Sequence, residues 1–150
     1  MAHTNIDLFN RFALALFAEL YKSFPVPADL DFESIMMSVI PDNADDERTF
    51  NSLAITSEAV NFLETEGFLH IGFKSMNRRE FSQVRLTMKG LAILDSVPTS
   101  LEKRESLISS ISAITKKGLK QAASDQVSDL AKHVFTLAIA SGPTLTSLLR

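Results

Sequence analysis

Apolar residues recur at helical spacing over residues 6–24, where Leu8, Phe9, Phe12, Ala13, Leu16, Leu20 and Phe24 fall three or four apart. The polar positions Asn10, Arg11, Glu19 and Lys22 leave a broad apolar face, so this helix must be largely packed. Thr4 and Asp7 have the spacing of a capping box, and Pro25 and Pro27 end the helix. Leu30, Phe32, Ile35, Met36 and Val39 predict a short second helix through Ile40, capped by Asp29 or Asp31. The segment PDNADDER (41–48) is an acidic turn that puts Asp45, Asp46 and Glu47 in the first turn of a third helix, where the dipole favours them. Phe50, Leu53, Ala54, Val60 and Leu63 then keep the helical period. They form one bent helix or two with a break near Thr56, and Gly67 is the left-handed residue after the end.

After Gly67 the period changes to alternation. FLHIGF (68–73) and FSQVRLT (81–87) are short and β-rich, and the polar KSMNRRE between them marks a hairpin with its tip around residues 75–79. Thr87 is the next N-cap, with Leu86 and Leu91 as its hydrophobic staple, and Pro98 closes that helix. Thr99 and Glu102 form a second capping box for a long helix striped with Leu107, Ile108, Ile111, Ile114 and Leu119 and weakened at Gly118. A last helix over 127–140 carries Leu130, Val134, Phe135, Leu137 and Ile139. The fold class is mainly α with a small β-hairpin (α+β). Its division is a domain over 1–98 and a C-terminal helical extension over 99–150.

Composition narrows the chemistry. No cysteine is present among the 150 residues, which excludes a disulfide scaffold, a thiolate zinc site and a cysteine nucleophile, and fits a reducing, cytoplasmic setting. His3, His70 and His133 are isolated, and the acidic turn lacks the glycine of a calcium loop, so no metal is expected. Neither a Gly-x-Ser-x-Gly elbow nor a glycine-rich phosphate loop occurs. The chain therefore reads as a non-enzyme without a cofactor. Its longest uncharged stretch, 17 residues over 133–149, is broken by Gly142-Pro143, and no membrane contact is expected. The net charge of −3 hides a gradient, with nine acids against three bases over 1–50 and four acids against seven bases over 101–150. Any nucleic-acid binding must then come from a local patch.

LETEGFLHI (63–71), the polar-tipped hairpin and VRLTMKGLAILDSVP (84–98) follow one another in an order that resembles a winged helix-turn-helix domain. The resemblance covers roughly residues 5–98 and extends to uncharacterised bacterial and phage-associated winged-helix proteins with a helical C-terminal extension. It implies a small DNA-binding, regulator-like protein with the helix before the wing in the major groove. The wing residues Lys74, Arg78, Arg79, Arg85 and Lys89 would contact backbone, and Ser57 and Asn61 would read bases. That helix departs from the pattern, because it carries Glu58, Glu64 and Glu66 with no lysine or arginine, and carboxylates near phosphate cost affinity. The alternative is a protein–protein interaction module that uses the same scaffold without DNA. The C-terminal stripe (Leu107, Ile111, Ile114, Leu130, Val134, Leu137) needs a surface, for which a homo-oligomer, a dimer, is the expectation.

Overall fold

Thr4 accepts a hydrogen bond from the Asp7 amide (3.1 Å) and so starts α1 (Asn5–Ser23), the element on which the rest is assembled. The computed structural model describes residues 4–77, 79–98 and 105–140. Every residue from Arg11 to Ala18 is buried, because α1 is enclosed from several directions. Three helices, α3 (Asp46–Thr65), α5 (Leu107–Lys117) and α6 (Ser124–Ala140), pack on it together with the strand β2 (Phe81–Leu86).

The buried run includes a charge. Arg11 is only 1% exposed. Its Nε donates to Asp7 Oδ2 (2.7 Å), Nη1 to the carbonyls of Leu119 and Ala122, and Nη2 to Ser124 Oγ (3.0 Å). The planar guanidinium thus satisfies the backbone of the α5–α6 turn, which would otherwise bury unpaired carbonyls.

Between α1 and the hairpin stand α2 (Phe32–Met37), capped by Asp31, and α3, capped by Asp45. α3 is one unbroken helix. The Thr56 hydroxyl donates to the Ser52 carbonyl (2.8 Å) inside it and caps nothing. The hairpin pairs β1 (Leu69–Lys74) with β2 in antiparallel register, Leu69 opposite Leu86 and Lys74 opposite Phe81. On its other edge β2 exchanges two hydrogen bonds with Ala28 (2.9 and 2.8 Å), and the Leu30 amide donates to the Phe81 carbonyl (2.9 Å). β2 is therefore the central strand of the arrangement. α4 (Met88–Asp95) begins at Thr87, which accepts from the Gly90 amide (3.0 Å) and donates to the Gly67 carbonyl (2.6 Å). A Cβ on Gly90 would stand 2.3 Å from the Phe68 carbonyl oxygen, so only glycine lets α4 approach β1 this closely.

The C-terminal helices correct one expectation. Leu107, Ile111, Ile114, Leu130 and Val134 are buried in the same core as α1, and Leu137 packs partly buried against it. Their stripe is covered within the chain, by α1 and α4, and is not a surface left for a second copy. The reason is the nearly all-round apolar character of α1, which offers that surface itself. α5 is shorter than predicted and is capped by Ser106, which accepts from the Ser109 amide. The Thr99–Glu102 capping box lies outside the described residues. Among the described residues no helix is long and apolar enough to cross a membrane.

Two outcomes test these ties. Replacing Arg11 by Met keeps the apolar stem but removes the donors to the Leu119 and Ala122 carbonyls and the ion pair with Asp7, and should cost about 3–5 kcal/mol in urea unfolding; a loss below about 1 kcal/mol contradicts its role. Tyr21, the single tyrosine, donates to Asp95 Oδ1 (2.7 Å) and ties α1 to α4. That hydrogen bond, aided by burial and by the carboxylate's charge, holds its pKa above the ordinary value of 10.0. Raised in the folded state, it contributes stability that is complete below the free tyrosine value and is lost as pH rises through the folded one. Ultraviolet titration of tyrosinate should show the elevation, and Asp95→Ala should abolish it.

Candidate interaction face

α3 turns an unusual pair of faces to its surroundings. Its buried side includes Ser52, Thr56 and Ser57 beside Ala59, Val60 and Leu63. Phe50 and Phe62, 67% and 51% exposed, stand on its outer side with Ala54 and Glu58. The buried Thr56 hydroxyl is satisfied within the helix itself, donating to the Ser52 carbonyl. Leu63 and Val60 then supply the apolar contact on that side.

Phe62 is not isolated. Phe9 meets it edge-on at 5.7 Å and stacks on Phe135 at 5.7 Å. Phe135 in turn meets Phe68, and Phe68 meets the fully buried Phe17. An unbroken run of rings thus leads from the core to the outer face and fixes Phe62 in place. Beside it Ile6, Phe9, Ile55, Ala59 and Phe62 line an apolar groove of about 510 Å³. A second groove, of about 360 Å³, lies between α2, the first half of α3 and the hairpin.

The predicted nucleic-acid residues differ in how the chain engages them. Lys74 pairs with Glu64 Oε1 (2.7 Å), and Glu64 Oε2 accepts the Ile71 amide (3.0 Å). Ile71 lies opposite Val84, whose amide and carbonyl both turn to Ala28, so the Ile71 amide points away from the sheet. Glu64, a liability beside phosphate, is here the group that caps the outer edge of β1. Lys89 donates to the Glu66 carbonyl (3.2 Å) and lies 5.9 Å from the Phe68 ring centroid. Ser57 is 7% exposed, which corrects its assignment as a base reader. Asn61 is half-buried and donates to the Ser57 carbonyl (3.3 Å). Arg79 and Arg85 are exposed, and Arg78 lies outside the described residues.

A third groove, of about 540 Å³, has Glu19, Asp29 and Asp31 on its wall. Each carboxylate there has a structural task. Glu19 pairs with Lys22, Asp29 accepts the Gln83 amide, and Asp31 caps α2. Among the described residues no three metal-ligating side chains converge. No family model, curated protein or solved structure matches the chain, so its function has to be read from these surfaces.

Hydrogen exchange tests the role of Glu64. Glu64→Ala should speed exchange of the Ile71 amide about tenfold, the equivalent of one hydrogen bond to a charged group. Glu64→Gln, which keeps an acceptor, should retain most of the protection. Unchanged exchange in the alanine variant contradicts the edge-capping role.

Proposed function

We propose that the chain is a non-enzymatic, cytoplasmic protein-interaction module on a winged helix-turn-helix scaffold, with the outer face of α3 as its docking surface. The order of helices and hairpin, with the LTMKG step (86–90) after it, supports the scaffold. One observation carries the function: α3 faces solvent with Phe50, Ala54 and Phe62 and carries no lysine or arginine after Arg48. Burying a fully exposed phenylalanine is worth about 1.5–3 kcal/mol, so these side chains are the natural anchors of a docking contact. The same helix is poorly suited to DNA. Its carboxylates repel phosphate, and Lys74 and Lys89 are already engaged by their own chain.

A second reading, DNA contact through the wing, is favoured by Arg79 and Arg85. Both are exposed, and no carboxylate pairs with either among the described residues. A photocrosslinking amino acid placed at position 50, 62 or 85 separates the two. Discrete protein adducts at 50 and 62 but not at 85, with flat anisotropy of a random DNA duplex at low salt, are expected. Duplex binding whose salt slope falls by about two in the Arg79→Ala/Arg85→Ala variant, at about 0.9 per phosphate contact, would overturn the interaction reading in favour of the wing.

A further inference from the structure

We propose that the groove between α2, the first half of α3 and the hairpin tip receives a basic segment of a partner protein. One bulky apolar side chain enters beside Phe50, and flanking lysines or arginines meet Glu33 and Asp46. This inference rests on the interaction-module reading and names the partner's chemistry.

The floor of the groove is apolar and preformed. Phe32, Met36 and Leu53 line it, and Phe50 forms a wall. Phe32 is held by ring contacts with Phe12 (5.7 Å) and Phe81 (5.5 Å), so little ordering is needed on binding. The walls supply the sign of the charge. Between Lys22 and Arg48 the chain has seven carboxylates and no cation. Four of the seven have structural partners: Asp29 the Gln83 amide, Asp31 and Asp45 their helix caps, and Asp42 the Lys120 ammonium. Glu33, Asp46 and Glu47 have no cation on them among the described residues, and the first two line the groove. Arg79 of the hairpin is the cation among its described lining residues, so a basic segment must run with its charges toward Glu33 and Asp46 and away from Arg79.

Other occupants fit less well. A second copy across this face would set Glu33, Asp46 and Glu47 against their own counterparts, and a nucleic acid would meet the same repulsion. An amphipathic helix with lysines beside its apolar stripe satisfies both floor and wall.

The test is fluorescence anisotropy of a labelled leucine–lysine amphipathic peptide, and of its leucine–glutamate counterpart, with the full chain across a salt series. The lysine peptide should bind, more weakly as salt rises, and the glutamate peptide should not. Glu33→Gln with Asp46→Asn should weaken binding about tenfold, and Phe50→Ala by a similar factor, the size of an ordinary anchor loss. Glu19→Gln with Asp125→Asn removes the same charge elsewhere and should change affinity by less than about twofold. Phe50 is largely exposed, so its variant keeps the fold, which circular dichroism checks. Equal loss in both charge variants, no response to Phe50→Ala, or equal binding of the glutamate peptide overturns the proposal. Protein crosslinks at position 50 or 62 without lysine-peptide binding overturn the basic-segment assignment alone and leave the interaction module standing. Absence of both removes both.

Discussion

The guanidinium of Arg11 ties the turn between α5 and α6 to α1, beside the apolar core that those helices share with it. Burying a cation is unfavourable unless its hydrogen-bonding capacity is met, and here a carboxylate, two carbonyls and a hydroxyl meet it. The benefit is mutual. The α5–α6 turn carries backbone acceptors into the interior, and a flat donor of fixed geometry is what can serve several of them together. Because α3 and β2 pack on the same helix, the orientation of the outer α3 face is referred to α1 as well.

Surface charge follows a related economy. Cations that sequence position assigns to a wing are partly consumed at home: Lys74 by Glu64, Lys89 by a helix-end carbonyl. Carboxylates of the first third are partly consumed by caps and by the β2 kink, where Gln83 has φ 54° and gives its amide to Asp29. Along α2 and α3, what remains outward after this is largely apolar and acidic, while Arg79 and Arg85 of the hairpin stay exposed.

Much of the framework was legible in the residues. The Thr4 cap, the Asp31 cap, the hairpin and the Thr87 cap each depend on neighbours in sequence, and local chemistry determined them. Misreadings arose where a distant partner decided. Arg11 reads as a polar face because its four partners include residues more than a hundred positions away. Ala28 carries no strand signal and is drawn into the sheet by Val84 alone. The α3 face is the most instructive case, since a hydrophobic period assigns phenylalanines inward and serines outward, whereas the folded helix buries Ser52, Thr56 and Ser57 and leaves Phe50 and Phe62 exposed. The signal was present in the spacing of Ser52, Thr56 and Ser57, but a period of apolar residues does not register it.

The burial of α1 has a consequence for how the chain comes into being. α1 leaves the ribosome before the helices that cover much of it, α5 and α6, which follow residue 106. Until then the nascent molecule exposes much of an apolar helix, and Arg11 has Asp7 but not the Leu119, Ala122 and Ser124 acceptors that receive it in the folded chain. Its cooperative core is thus closed by the late arrival of the C-terminal pair, and during elongation α1 is a natural client for a chaperone or for any other surface that shields apolar helices.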